Sequence, residues 1–143
     1  MNRSKIFKAL LPLPLTLITL GCNPEKQTLF PTDNEGGYTI DKYESSDQSL
    51  SDSVLIFGKI ESIQKKEPLP ASFIKWACTT EISDNIGNYR MMVMRNLDVE
   101  FRLSARSMLY QEIRTKSIDF GNLDSLQIDF YLDLSNEVFS SCN

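Results

Sequence analysis

Histidine is absent from the 143 residues of this chain, and its absence excludes a large group of catalytic and metal-binding chemistries. Histidine is the usual general base near neutral pH and the commonest metal ligand in proteins. A Ser-His-Asp triad, a Cys-His pair and a histidine-containing zinc site are therefore impossible within this chain. From the sequence we expect no enzymatic activity, no cofactor and no metal ion.

Positive charge is also scarce. The chain holds 15 Lys and Arg against 19 Asp and Glu, a formal net charge of -4. Arg3, Lys5 and Lys8 lie in the first 21 residues, which contain no acid, so taking these three charges from -4 leaves -7 for the remainder. An acidic surface repels nucleic-acid phosphates and anionic lipid head groups. Nucleic acid is not an expected partner, and any membrane attachment must come from something other than a basic patch.

Long hydrophobic runs are missing too, apart from one near the start of the chain. Residues 9–20 form an apolar run of about a dozen residues that contains Pro12 and Pro14, whereas a spanning helix needs about 20. Cations precede this run and the small residue Gly21 follows it. Residues 1–21 therefore have the three parts of an export signal peptide, and we expect them to be cleaved.

The four residues Thr-Leu-Gly-Cys at 19–22 resemble the lipobox of bacterial lipoproteins, in which the cysteine is acylated and becomes the mature N-terminus. The resemblance implies palmitate on Cys22 and anchoring of the protein to a membrane of the cell envelope. Asn23 at the next position resembles lipoproteins sent to the outer membrane of Gram-negative bacteria, with periplasmic or surface display left open. An ordinary secretory leader with an incidental cysteine is the alternative.

Residues 22–52 are rich in Ser, Asp, Glu, Gln, Asn, Gly and Pro, and no apolar period persists along them. This composition predicts a flexible tether of about 30 residues that spans roughly 30 Å between the lipid and the domain. A short extra strand at Tyr38-Thr39-Ile40 is the alternative.

Residues 53–143 predict a single domain of extended segments joined by short turns. Gly58 lies within the first segment and indicates a bulge or a close approach of another backbone. Gly87 and Gly121 mark turns. Six or seven strands without a convincing helix predict an all-β Greek-key β-sandwich of about seven strands. The predicted strands are residues 54–61, 71–77 extended by 79–82 after a bend, 89–94, 97–105, 112–118 and 126–134.

Three stretches of this domain, in order, resemble the carboxypeptidase regulatory-like domain, a transthyretin-like β-sandwich. They read FGKIE at 57–61, EPLPASF at 67–73 and SDNIGNY at 83–89. The chain departs from the family pattern at Lys75, where an apolar residue is usual. The resemblance implies a transthyretin-like fold without catalysis of its own, because this module sits beside the catalytic domain in the zinc carboxypeptidases.

Cysteine is rare, and if Cys22 is lipidated, Cys78 and Cys142 remain as an even pair. Outside the cytoplasm such a pair can form a disulfide. The bridge would enclose about 65 residues and stabilise the domain by about 4 kcal/mol in the chain-entropy model. Two free thiols are the alternative.

Two pairs of acids on predicted strands are candidate catalytic groups. By strand rise, Asp98 and Glu100 would lie about 6.6 Å apart, and Asp129 and Asp133 about 13 Å apart. Carboxylates on the polar face of an amphipathic strand usually contact solvent. We therefore expect both pairs to face water and neither to be catalytic.

Asp84, Asn85 and Asn88 surround a predicted turn and carry oxygen atoms of the kind that calcium prefers. The same residue types suit a tight turn without any ion. The turn is the interpretation that we favour.

Aromatic residues give the remaining candidate ligand contacts: Trp76, Tyr110 and Tyr131. An exposed ring can stack on a sugar or grip a peptide, but Trp76 and Tyr110 fit a core position equally well. Together these features predict a lipid-anchored, non-catalytic envelope protein. Its β-sandwich would bind a protein, peptide or glycan partner or give structural support. The alternative is an accessory subunit or a hydrolase that acts on envelope glycan or peptide.

Overall fold

The computed structural model describes residues 28–32, 36–44, 52–95 and 100–135. These residues form nine β-strands and their connections, in two sheets of five and four strands. The predicted all-β, two-sheet β-sandwich is confirmed. No helix in the described part of the chain is long and apolar enough to cross a membrane.

The larger sheet has the strand order β1-β2-β9-β3-β6, and the smaller sheet has the order β5-β4-β7-β8. In chain order the strands are β1 (Phe30–Pro31), β2 (Gly37–Glu44), β3 (Ser53–Ser62), β4 (Phe73–Trp76), β5 (Thr79–Ile82), β6 (Asn88–Met94), β7 (Ser104–Arg106), β8 (Ile113–Arg114) and β9 (Leu123–Leu132).

Strand β9 is the centre of the larger sheet. It pairs antiparallel with β2 on one side and parallel with β3 on the other. The sequence predicts a strand over 126–134, so its length is nearly right, but the alternating pattern, which is typical of an antiparallel sheet, does not reveal the parallel partner. Because β9 has a neighbouring strand on each edge, the residues on its outer face are also partly covered.

Strand β2 corrects the predicted tether. Gly37–Glu44 pairs with β9 from Gly37↔Tyr131 to Glu44↔Leu123, and Tyr38 is only 2% exposed. The flexible-tether prediction for 22–52 is therefore wrong at Gly37–Glu44, where the alternative short strand is right and longer than expected. The reason is that Tyr38 stacks on Phe30 and contacts Phe130, with ring centroids 5.4 and 6.2 Å away. Residues 22–27, 33–35 and 45–51 lie outside the described part.

Strands β3 and β6 match their predictions. Their buried residues alternate with exposed or half-buried ones as expected, and their register runs unbroken from Ser53↔Met94 to Lys59↔Asn88. Gly58 therefore marks no bulge in this pair. It marks the other predicted possibility, a close approach, because a Cβ there would lie 1.9 Å from the Ile128 carbonyl oxygen.

The described residues in the middle of the chain form less strand than the pattern predicted. Of the predicted strand 97–105, residues 97–99 lie outside the described part, and within 100–105 only Ser104 and Ala105 belong to a strand, β7. Phe101 makes an isolated bridge to Ile118. The predicted strand 112–118 shortens to β8. Here a side chain replaces a ladder bond, because the Leu103 amide donates to the Thr115 hydroxyl at 2.9 Å.

The core lies between the two sheets and takes residues from nearly every element. Its buried apolar residues are Tyr38, Val54, Ile56, Ile60, Leu69, Ile74, Tyr89, Met91, Val93, Phe101, Leu103, Ala105, Ile113, Ile118, Phe120, Leu123, Leu126, Ile128, Phe130 and Leu132. Burying these side chains leaves the opposite face of the smaller sheet turned to solvent.

Candidate binding face

The outer face of the smaller sheet carries side chains that alternate with its core residues. On β4, Phe73 and Lys75 are exposed while Ile74 is buried. On β7, Ala105 points to the core and Arg106 is exposed. Successive residues of a strand point to opposite faces, so the outward residues of neighbouring strands form rows across the sheet.

One of these rows is centred on Ser104. Ser104 is opposite Lys75 of β4 on one side and opposite Arg114 of β8 on the other. Neighbouring strands lie about 4.8 Å apart, which puts the Lys75 and Arg114 backbones about 10 Å from each other. Arg102 and Arg106 lie two residues before and after Ser104, on the same side of the chain. Four cations therefore surround Ser104, which is itself only 8% exposed.

These residues line a concave depression of about 1020 Å³, which we name the cation face. Four cations and a single acid give its lining a net charge of +3. The complete lining is Pro70, Ala71, Phe73, Lys75, Ala77, Thr80, Arg102, Ser104, Arg106, Ser107, Met108, Glu112 and Arg114. It combines positive charge with hydroxyl groups and a few apolar side chains.

Two of the four cations have acidic neighbours at the rim. Arg102 pairs with Glu100 at 2.6 Å and Arg114 with Glu112 at 3.5 Å, and all four side chains are well exposed to solvent. Exposed pairs of this kind contribute little stability. Neither Lys75 nor Arg106 has an ion pair with any described residue, so both charges are available to a ligand.

A buried serine cluster fixes the chain at the start of β4. The Ser72 and Ser83 hydroxyls both donate to the Leu69 carbonyl at 2.9 Å, and the Ser72 amide donates to the Ser83 hydroxyl at 2.9 Å. These bonds tie the segment before β4 to the segment after β5. Phe73, the first residue of β4, is thus held at the rim of the cation face with half of its surface exposed (50%).

The arrangement suits the capture of anionic groups. Arginine presents a planar set of donors that matches a carboxylate or a phosphate, and lysine adds a compact charge. Phe73 is directly opposite Arg106 and offers an aromatic surface beside that charge. The face can therefore bind an anion and an adjoining planar or apolar group together.

The structure does not bring the three predicted aromatic contacts together. Trp76 packs on Phe101 at 5.6 Å between centroids, toward the core. Tyr110 is partly buried against the core and makes an isolated bridge to Leu134. Tyr131 is half-buried on the outer face of the larger sheet, where it lines a separate depression of about 300 Å³. Their roles as ligand contacts stay predictions.

Asp129 and Asp133 are not solvent contacts, so that prediction is wrong. They are 9% and 5% exposed. Asp129 accepts hydrogen bonds from the Lys59 amide at 2.9 Å and the Gln127 side-chain amide at 3.0 Å. Asp133 accepts from the Gln64 side chain at 2.6 Å and the Leu134 amide at 2.9 Å. Each carboxylate thus satisfies its own local donors.

Two buried or half-buried phenols have perturbed acidity. Burial raises the pKa of Tyr89 well above 10.0, the charge of Asp129 raises it further, and the phenol donates to the Ile128 carbonyl at 2.7 Å. Burial also raises the pKa of Tyr131, and a hydrogen bond with Thr39 opposes that rise. Both phenols therefore stay protonated near neutral pH, which makes them poor general bases.

Residues 84–88 form a tight turn that is held by hydrogen bonds between its own protein groups. The Asp84 carboxylate accepts from the backbone amides of Ile86 and Asn88 at 3.0 and 2.8 Å, and Gly87 has the expected positive φ of 77°. In the regions that the structure describes, no three His, Cys, Asp or Glu residues are grouped as metal ligands.

Cys78 is exposed in a two-residue turn that joins β4 and β5. Ala77, the first residue of this turn, has a φ of 49°. Residues 79–82, which were predicted to extend the strand after a bend, form the second strand of a β-hairpin. Cys22, Asp98 and Cys142 lie outside the described residues. Lipidation of Cys22 and the Cys78–Cys142 disulfide therefore stay predictions, as does the placement of Asp98 beside Glu100.

Sequence reasoning missed the cation face. Its cations come from three separate segments of an acidic chain, and each one alone has the pattern of a solvent-exposed strand residue. The one local indication of this face was Lys75, which stands where the pattern of the carboxypeptidase regulatory-like domain has an apolar residue. No protein-family model matches the chain, and no curated protein matches it. The fold and this face together define a two-sheet β-sandwich with a cationic outer surface.

Proposed function

We propose that this protein is a non-catalytic binding module of the cell envelope, anchored by lipid on Cys22, and that it holds its partner on the cation face. The observation that supports a binding role most directly is the 1020 Å³ depression on the outer face of the smaller sheet. Ligand sites are typically concave and combine apolar surface with a few well-placed polar groups. The cation face has these properties on a scaffold of paired strands.

The lipid anchor would hold the domain close to the membrane. Strand β1 begins at Phe30, eight positions after Cys22, and an extended chain reaches at most about 3.5 Å per residue. A lipid on Cys22 would thus keep the edge of the larger sheet within about 28 Å of the membrane surface. This is a shorter and better-defined connection than the 30-residue tether expected from composition.

A hydrolytic role, the alternative, has less support. The buried carboxylates Asp129 and Asp133 each accept two hydrogen bonds from neighbouring residues. Their positions along the strand are about 13 Å apart, beyond the range in which a pair of glycosidase carboxylates cooperates. The described residues favour binding without turnover.

Fractionated envelope extracts of the source organism test this proposal. A fraction that holds the partner should raise the melting temperature of the wild-type protein, since a ligand that binds only the folded state stabilises it. The same fraction should have little effect on the variant Lys75→Gln/Arg106→Gln, and its components should be unchanged after incubation. An equal shift in the variant would contradict the role of the cation face, and conversion of the components would favour the hydrolase.

Metabolic labelling with an alkyne analogue of palmitate tests the anchor separately. The label should attach to the wild-type protein and not to the variant Cys22→Ser, which should also leave the membrane fraction. Equal labelling of both would refute lipidation at Cys22.

A further inference from the structure

We infer that the ligand of the cation face is a short acidic glycan, a chain of a few sugars that carries more than one carboxylate or phosphate group. This inference rests on the proposed binding function and adds the chemical class of the ligand. Three features of the face lead to it: the charge and spacing of its cations, the charge of the remaining protein and the groups between the cations.

The charge of the face favours a ligand with more than one anion. The Lys75 and Arg114 backbones lie about 10 Å apart on either side of β7, and the Arg106 backbone lies about 7 Å along β7 from Ser104. Lysine and arginine side chains at these backbone separations can converge on one small anion, but a single carboxylate offsets only part of the +3 charge of the lining. An elongated ligand with an anion near Lys75 and another near Arg106 or Arg114 can contact several of these cations.

The charge of the remaining protein limits how far a charged ligand can extend beyond the face. Without residues 1–21, which carry +3, the chain has a net charge of -7, and the lining of the cation face contributes +3, so all other residues of the mature chain together carry -10. A long polymer with a charge at every step, such as a nucleic acid, would be repelled wherever it extended beyond the face. A chain of a few sugars would lie largely within the face and would meet this repulsion far less.

The groups between the cations favour sugar over peptide. The amides and carbonyls of β4 and β7 are directed along the sheet toward neighbouring strands, so the face has few free backbone partners for a peptide main chain. It offers instead the hydroxyls of Thr80 and Ser107 and the exposed ring of Phe73. Hydroxyl groups and an aromatic surface are suitable contacts for the hydroxyls and the flat side of a sugar ring.

Lys75 and Arg106 also repel each other, because neither has an acidic partner among the described residues. They occupy diagonal positions on neighbouring strands, where long side chains are within reach of each other. An anionic ligand would remove this repulsion as it binds. The affinity for an anionic ligand should therefore fall as added salt screens the charges.

Calorimetric titration of the full-length protein in non-ionic detergent tests the inference with three probes. Tetragalacturonate carries carboxylates on a sugar chain, its methyl ester has the same chain without charge, and tetraglutamate carries carboxylates on a peptide. We expect tetragalacturonate to bind, its methyl ester to bind at least tenfold more weakly, and tetraglutamate to bind more weakly than tetragalacturonate. A phosphorylated oligosaccharide of equal length shows whether carboxylate or phosphate is preferred.

Variants that remove two charges in different places provide the matched control. Lys75→Gln/Arg106→Gln removes two cations from the face, and Lys59→Gln/Arg90→Gln removes two exposed cations from β3 and β6 of the other sheet. The first variant should bind tetragalacturonate roughly tenfold to a hundredfold more weakly, as expected for lost hydrogen bonds to charged groups. The second, with the same net charge, should bind within about threefold of the wild type. Melting temperatures show whether each variant is folded.

Each other outcome overturns the inference in a distinguishable way. Equal weakening in both double variants would mean that net charge, and not the cation face, controls binding. Tighter, face-dependent binding of tetraglutamate would refute the glycan assignment but leave the face as a binding site. If none of the charged probes binds the wild type, the ligand class is wrong, whereas the proposed binding function fails only if no envelope fraction acts through the face.

Discussion

Replacing Gly58 by alanine should strongly destabilise the protein. An added Cβ would lie 1.9 Å from the Ile128 carbonyl oxygen and 2.6 Å from its carbon, and both atoms belong to the backbone of the central strand β9. Real Cβ contacts are essentially never shorter than 3.0 Å, so β3 and β9 would have to separate by about 1 Å here. No flexible side chain can move away to relieve the clash.

The cost follows from two effects at the same point. Overpacking of a well-packed interior costs about 1–3 kcal/mol. Separation of the strands would also weaken the bond from the Lys59 amide to Asp129, now 2.9 Å long, at about 1 kcal/mol. We expect a loss of about 3 kcal/mol in the free energy of unfolding, a large part of the roughly 5–15 kcal/mol of a typical domain.

Two other glycines separate steric clash from backbone strain. At Gly121 an added Cβ would meet no atom within 4 Å, but φ is 44°, so Gly121→Ala should cost about 1 kcal/mol through the dihedral alone. At Gly87 φ is 77° and the Ile60 carbonyl oxygen would lie 2.6 Å away. Gly87→Ala should therefore cost more than Gly121→Ala.

Urea unfolding, followed by fluorescence of the single tryptophan and by circular dichroism, measures these differences. Trp76 is half-buried against Phe101, so its emission should change on unfolding. The reasoning is refuted if Gly58→Ala unfolds within about 1 kcal/mol of the wild type, or if it is less destabilising than Gly121→Ala.

Three further predictions test the larger sheet. Asp129→Ala should lower the free energy of unfolding by about 2 kcal/mol, because the Lys59 amide loses its acceptor. Asp124→Ala, on the exposed side of β9, should change it by no more than about 0.5 kcal/mol, and equal effects of the two substitutions in urea unfolding would contradict this. Stability should fall as pH rises above 10.0, because the folded state keeps the Tyr89 proton that the unfolded state loses, its pKa being raised by burial. The contribution is complete below pH 10.0 and is lost above it, so Tyr89→Phe should show a smaller alkaline slope, and an unchanged slope in pH-dependent unfolding would contradict the assignment. Tyr38→Ala should cost about 3–4 kcal/mol, since this side chain is buried beside Phe130; a cost near zero would restore the tether interpretation.

The predicted fold depended on alternation, and alternation was reliable where a strand has one buried and one open face. β3 and β6 are of this kind, so their buried residues were identified correctly. β2 was missed because only Tyr38 and Ile40 are apolar at period two, within a polar segment. Its position beside β9 depends on pairing between residues about 90 positions apart, which local composition cannot reveal.

The errors at Asp129 and Asp133 have the same physical origin. A carboxylate at an alternating position is usually exposed, but here β9 has strands on both sides and nearby amides that need acceptors. The parallel pairing of β3 with β9 leaves the Lys59 amide to the Asp129 side chain. Such partners follow from the sheet order and not from the strand's own pattern.

The candidate site was less predictable than the fold, because it exists only after three segments pair. Lys75, Arg106 and Arg114 come together through the β4–β7 and β7–β8 registers. The negative net charge of the chain pointed away from any anionic ligand. A net charge is a sum over the surface and does not describe one face of it.

The most direct test of this account is a two-dimensional amide NMR titration of the labelled protein with tetragalacturonate. Saturable shift changes should concentrate on Lys75, Ser104, Arg106 and Arg114, and the methyl ester should need at least tenfold higher concentrations to produce them. Changes centred on β3 or β6 of the larger sheet, or no saturable change at all, would contradict the assignment of the cation face as the binding site.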